Sequence, residues 1–243
     1  MDEETLAGGN SSTVVRVGNT VRRTAGPWTP AVHRLLTTLR LAGIAEVPEH
    51  LGLDDRGREI LSFLPGRVAN YPLPDWLWSD TILEEAGRLL RRVHDASVPL
   101  VAEPLDWSAP RHEPAEVVCH NDAAPYNLVF ADGHVTGLID FDTASPGPRL
   151  WDLAHLAYRL VPFVEDADPD AWTDDRRFDR LDRLVRAYGI PFSRAQVLSA
   201  IGARLEELAT FTDRRAAETG RPEFLDHAAM YRRDRTRLLS HLT

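Results

Sequence analysis

Cysteine is almost absent from this 243-residue chain, and a single copy, Cys119, excludes an intrachain disulfide. No activating partner accompanies Cys119 in sequence, so it reads as a small buried hydrophobe and not as a nucleophile. Long apolar runs are missing as well, since nothing approaches the ~20 residues needed to span a bilayer. The N-terminal MDEETLAGG lacks the basic start and apolar middle of a signal peptide, so a cytoplasmic location is expected. Basic excess is lacking too. The formal charge is -9 with a pI near 5.5, which argues against nucleic-acid binding, where a basic face supplies the affinity. Neither an internal repeat nor a long low-complexity segment divides the chain. What remains is 43% apolar and 27% charged, enough for one large domain or two small lobes around a substantial core.

The most informative run is VVCHNDAAPYNLVF, followed by LIDFD. It sets His120, Asp122 and Asn127 at H-x-D-x-x-x-x-N spacing, with Asp140 further on. Val117, Val118 and Cys119 read as a buried strand entering a loop that Pro125 keeps irregular. A second strand starts at Leu128, ADGH supplies an Asp-Gly hairpin turn, and residues 135–139 return antiparallel. The hairpin can bring Asp140 beside Asn127, two oxygen donors suited to one magnesium ion. Asp122, earlier in the loop, can face a γ-phosphate from the acceptor side and take or orient the proton of an attacking hydroxyl. His120 belongs to the same catalytic set, and its expected part is to brace the loop. Asp142 reads as a solvated loop carboxylate. The arrangement suits phosphoryl transfer.

These segments resemble the catalytic loop of the aminoglycoside phosphotransferase and choline kinase group, small-molecule relatives of protein kinases. HNDAAPYN matches that group's His, Asp, Pro and Asn, and LIDFD matches its counterpart of the kinase Asp-Phe-Gly. RLWDLAHLAY resembles the following helix, in which Asp152 would anchor the loop. EEAGRLLRRVHDAS resembles the helix that ends in Leu-x-x-x-His, here Leu90 and His94. ILSFLPG resembles the hinge between lobes. The resemblance implies an α+β, bilobal protein-kinase-like fold, with a short β-rich N-terminal lobe (1–64) and a larger, mainly helical C-terminal lobe (65–243). It also implies ATP and Mg2+ as cofactors, with Ser62, Phe63 and Leu64 offering backbone groups to an adenine edge. The acceptor would be a hydroxyl of a small molecule, an aminoglycoside or another amino alcohol or sugar. The acidic run at 165–175 is a candidate rim for a cationic acceptor, or else a solvated loop.

Elsewhere, residues 13–25 read as two strands about Gly18–Asn19, and the preceding glycine pair in GGNSS could approach phosphates. TPAVHRLLTTLRLAG reads as a helix capped by Thr29 and ended by Gly43. Strands are expected at 47–53 and 59–63, helices from Asp80, over 153–160 and 177–188, near Ser193, and over 226–242. One departure from the group is plain. No lysine stands where the small lobe should offer one to the phosphates, and Arg22 and Arg23 occupy that strand. Alternation pairs Val21 with Arg23 on one face, so Arg23 is expected to point inward and contact phosphate. The helix, with Val32 or His33 at the corresponding place, also lacks the glutamate that would pair with it. These gaps motivate an alternative, a catalytically impaired kinase-like nucleotide-binding module. The His94–Asp95 pair prompts a third reading, a metal-dependent phosphohydrolase, for which no further ligands can be assembled.

Overall fold

The computed structural model describes residues 3–6, 14–167 and 172–242. Five antiparallel strands open the chain in the order β1-β2-β3-β5-β4: β1 Glu4–Leu6, β2 Val14–Val17, β3 Thr20–Thr24, β4 His50–Leu53 and β5 Arg58–Ser62. The β2–β3 turn uses Gly18 at φ +61°, a conformation open to glycine without steric cost. Helix α1 (Thr29–Leu41) lies between β3 and β4 and buries Val32, Leu35, Leu36 and Leu39 at helical spacing. Thr29 starts this helix and does not cap it; its hydroxyl accepts from the Gly26 amide. Strand β1 had no clear signal and lengthens a sheet expected to begin near residue 13. The glycine pair of GGNSS lies outside the described residues, as do 168–171 of the acidic run.

After β5 the chain crosses to the helical part along the β7–β8 hairpin (Leu128–Ala131 and His134–Leu138). Arg67 and Phe130 exchange backbone hydrogen bonds of 2.9 and 2.8 Å. The approach is close. A Cβ added to Gly66, at φ +142°, would meet the Phe130 carbonyl oxygen at 2.7 Å, and one on Gly137 would meet Leu64 Cδ1 at 2.7 Å. Helix α2 (Asp80–Ser97), capped by Ser79, packs on α4 (Asp174–Tyr188). The short pair β6 (Val117–Cys119) and β9 (Ser145–Gly147) carries the catalytic run into α3 (Arg149–Leu160). Two long helices finish the chain as an antiparallel pair: α5 (Arg194–Thr219), opened by a Ser193–Gln196 capping box, and α6 (Glu223–Leu239). One apolar core runs through the molecule, from Leu35 and Leu39 of α1 through Leu83 and Leu90 of α2 to Leu205 of α5.

Candidate active site

The catalytic run folds as a strand, an irregular loop and a hairpin, and its backbone is held from several sides. Asn121 takes φ +65° and Asp140 φ +64°, the left-handed region that costs most residues about 1 kcal/mol or more. Tertiary contacts fix both. Asp152, fully buried on α3, accepts from the His120 amide at 2.7 Å, the Asn121 amide at 2.9 Å and His94 Nε2 at 2.9 Å. Burial alone would raise its carboxyl, but the donors of His94 and His120 hold it far below the ordinary carboxylate range. Asn121 Nδ2 donates to the Thr143 carbonyl and to Ser145 Oγ, each at 2.8 Å. Arg204, from α5, donates to the Asn121 carbonyl and stacks over Trp151.

His120 is a brace in this geometry. Its Nε2 lies 2.9 Å from the Ile139 carbonyl, and its Nδ1 accepts from the Asp122 amide at 3.2 Å. The pair of contacts selects the neutral ring protonated on Nε2 and ties the loop to the end of β8. On the same hairpin the Ile139 amide donates to the Asn127 carbonyl at 2.9 Å, which sets Asp140 one residue beyond Asn127's partner.

Asp122 is gripped at both oxygens. Tyr126 donates its hydroxyl to Oδ1 at 2.6 Å, and Asn127 Nδ2 donates to Oδ2 at 3.0 Å and to the Asp122 carbonyl at 2.9 Å. Because the Asn127 amide nitrogen is engaged, its carbonyl oxygen is the end left for an ion. His155 Nε2 stands 3.3 Å from Asp122 Oδ1, outside hydrogen-bond geometry, and both of its buried ring nitrogens lack a hydrogen-bond partner. Burial pushes the His155 imidazole down to about 4 against the pull of Asp122. Burial works to raise Asp122, yet His155 and Tyr126 outweigh it and hold its carboxyl below the usual value. Asp122 is therefore a carboxylate across the physiological range.

Arg23 is the inward arginine of β3 and reaches the end of the hairpin. Its Nη1 donates to Asp140 Oδ1 at 2.8 Å and its Nη2 to Asp142 Oδ1 at 2.6 Å, while Nε donates to Glu59. Arg22 turns away, with Nη1 on Thr20 Oγ1 at 2.6 Å. Asp142 is thus no solvated loop carboxylate: it is ion-paired to Arg23, and burial nudges its carboxyl upward. Sequence reasoning looked for an acidic partner on α1, and the partner stands instead on β5. Glu59 is directly opposite Arg23 in the β3–β5 register, and His33 of α1 approaches its other oxygen at 3.0 Å. Little in the sequence warned of it. Burial alternates over residues 58–62 and turns Glu59 inward with Leu61, but Arg-Glu-Ile-Leu-Ser carries no matching alternation of polar and apolar side chains.

The hinge reading narrows. Ser62 donates its amide to the Glu49 carbonyl and Phe63 donates to the Asn19 carbonyl, both at 2.8 Å, so Leu64 is the one of the three whose amide is not used by the sheet among the described residues. Arg16 covers the Phe63 ring, with its guanidinium carbon 3.9 Å from the centroid.

The phosphohydrolase reading fails on geometry. His94 turns inward to Asp152 and, through Nδ1, to Tyr188 Oη at 2.7 Å, whereas Asp95 faces outward to Arg91 and Arg149. His94, Asp152 and Cys119 do cluster in the interior. Their polar atoms are already engaged, Asp152 by the catalytic loop, His94 by Asp152 and Tyr188, and Cys119 by the Pro148 carbonyl, and burial raises the Cys119 thiol well above its ordinary value, leaving it protonated. No helix among the described residues is long and apolar enough to cross a membrane.

Taken together, a small sheet clamped by arginine onto a loop carrying His120, Asp122 and Asn127, with Asp140 on the adjoining hairpin, defines a kinase-like small-molecule phosphotransferase. The chain belongs to the phosphotransferase enzyme family, whose model matches residues 105–199. The trifolitoxin immunity protein of Rhizobium leguminosarum bv. trifolii is 34% identical over 227 residues, spanning 89% of this chain and 83% of that protein. In fold the chain is similar to a choline/ethanolamine kinase family protein from Mesorhizobium loti, with TM-score 0.68 and 17% identity over 98% of this chain and 88% of that one. It is similar also to the amicoumacin kinase hAmiN, solved with AMP-PNP, Ca2+ and Ami, with TM-score 0.70 and 13% identity over 98% and 88% of the two chains.

Proposed function

We propose that this protein transfers the γ-phosphate of ATP to a hydroxyl of a small molecule, with Asp122 orienting that hydroxyl and Asn127 and Asp140 holding magnesium. The reading places the reaction in the cytoplasm, where both cofactors abound, and divides the chain into a nucleotide lobe, 1–64, and an acceptor lobe, 65–243. One observation carries it. A continuous line of contacts runs from Arg23 to Asp140, along Ile139 to Asn127, and on to Asp122.

The donor set suits a hard divalent ion. Asn127 offers an amide oxygen, Asp140 a half-exposed carboxylate, and both sit at the end of one hairpin. Glu59, Asp140 and Asp142 outnumber the single guanidinium of Arg23 and leave a surplus of negative charge, which a divalent cation offsets. Asn127 and Asp140 would hold such an ion, which would supply charge neutralisation for the phosphoryl transfer.

The chain's own residues supply the rest. Arg23 can present its fork to the α- and β-phosphates in place of a lysine, and Glu59 and His33 fix the direction of its stem. Leu64 offers an amide to the adenine edge. A carboxylate held below its usual range is a weak base, so Asp122 chiefly aligns the acceptor hydroxyl and accepts its proton late in the transfer. His120 and Asp152 keep the loop in place. The name of the immunity protein, and the antibiotic kinases of like fold, support a toxic or antibiotic small molecule as acceptor.

Nucleotide titration tests the proposal: ATP should bind with strong dependence on magnesium, and ADP should form in the presence of an acceptor. Nucleotide binding that ignores magnesium, with no turnover of any acceptor, would point to the impaired module instead.

A further inference from the structure

Five arginines are buried among the described residues, and four of them, Arg23, Arg177, Arg180 and Arg204, have a carboxylate within 4.0 Å. Arg159 of α3 has none. It is 6% exposed and donates from Nη1 to Tyr71 Oη at 3.0 Å and from Nη2 to Tyr231 Oη at 3.3 Å, while its Nε has no partner. Its guanidinium carbon also lies 6.0 Å from the Tyr126 ring, 5.1 Å from Tyr158 and 6.0 Å from Tyr231. Four of the chain's five tyrosines therefore surround one cation. Aromatic faces and phenol oxygens soften the desolvation of a guanidinium but do not cancel its charge.

The place of this cation matters. Tyr126, one wall of the cage, donates its hydroxyl to Asp122, so Arg159 is one ring away from the proposed phosphoryl acceptor site. Tyr71, 41% exposed on the irregular stretch between β5 and α2, forms the outer cover. Tyr158 is otherwise engaged, donating to Asp234 at 2.7 Å. The acidic group acting on Tyr71 is Asp166, which is exposed and screened by water.

We propose that the acceptor carries a carboxylate besides its hydroxyl, and that Arg159 binds that carboxylate when Tyr71 gives way. The inference rests on the phosphotransferase reading above and names the class of its acceptor. A planar guanidinium with an unused Nε–H and an Nη–H held by a neutral phenol is prepared for a two-point contact with a carboxylate. The same cation disfavours a polycationic aminoglycoside at this place.

The test is a binding panel on the full chain, with magnesium and a non-hydrolysable ATP analogue present and then absent. The probes are N-acetylserine, N-acetylthreonine and hydroxybutyrate, each beside its carboxamide, together with glycerol phosphate and an aminoglycoside. The expected result is a preference for each acid over its amide of roughly 30-fold or more, lost in Arg159→Gln and partly kept in Arg159→Lys. Equal binding of acids and amides by the unaltered protein overturns the proposal without any variant having to fold. So does binding of glycerol phosphate or the aminoglycoside alone, or binding of no acid while the nucleotide analogue binds with its magnesium dependence intact. That last pattern leaves the phosphotransferase reading standing. Loss of the nucleotide's magnesium-dependent binding, with acids still preferred, breaks that reading and keeps the anion site.

Discussion

Arg23 and Arg159 reach the catalytic segment through different residues, Asp140 and Tyr126, and both are buried, yet the first is ringed by three carboxylates and the second by tyrosines. Arg23 draws its partners from β5 and from the segment after β8, so it fastens the sheet to the hairpin. Anything that binds there must exchange with contacts already made. Arg159 has no carboxylate partner among the described residues, and an anion that reaches it adds an interaction. The contrast teaches that burial by itself does not say what an arginine is for; the charge left over around it does.

The largest effect should come from the residue between the two. Asp122→Asn is expected to lower turnover about a thousandfold with little change in nucleotide affinity, read as ADP release and as analogue binding. A loss below tenfold would remove Asp122 from the reaction. Next, Arg23→Ala leaves the buried Glu59 without its cation and should cost about 3–5 kcal/mol in urea unfolding. Arg23→Lys should recover part of that stability but fewer of the three pairs. If Arg23→Ala unfolds like the unaltered protein, the clamp is ornamental and the contrast with Arg159 falls.

His155 sharpens the comparison from the acceptor side. Its folded pKa, near 4, lies below the ordinary imidazole value of 6.5, so between those values the unfolded chain takes up a proton that the folded chain refuses. The stability this implies is complete above pH 6.5 and disappears as pH falls toward 4, roughly 3 kcal/mol in all. The His155→Asn variant should lack that slope, as unfolding curves at pH 7 and pH 4.5 would show. A variant that loses stability in parallel with the unaltered protein would contradict the buried neutral imidazole. The smallest effect belongs to the exposed Arg34–Glu103 pair, where Glu103→Gln should leave the urea unfolding midpoint unchanged, because water screens the pair.

Much of this was open to reading from the chain. The helical spacing of α1 and α2 and the Asp-Gly hairpin are local signals, and the hairpin with its preceding loop brought Asp122, Asn127 and Asp140 into one segment. What escaped depends on register and on distant packing. Glu59 meets Arg23 across 36 residues, and Arg204 reaches Asn121 across 83. Strand β9 is Ser-Pro-Gly, a sequence with no strand preference that pairs only because β6 lies beside it. α3 carried a subtler clue. Asp152, His155 and Arg159 recur at helical spacing within a helix buried all round, a pattern that marks one chemically active face.

The clamp has a practical corollary. No lysine occurs anywhere in the sequence, and all 28 cationic side chains are arginine. Acylating nucleotide reagents that mark kinases by capturing an active-site amine will find no side-chain nucleophile of that kind here. A survey of cellular kinases by such labelling would pass this protein over, and detection calls for a guanidine-directed dicarbonyl or for the chemistry of the product itself.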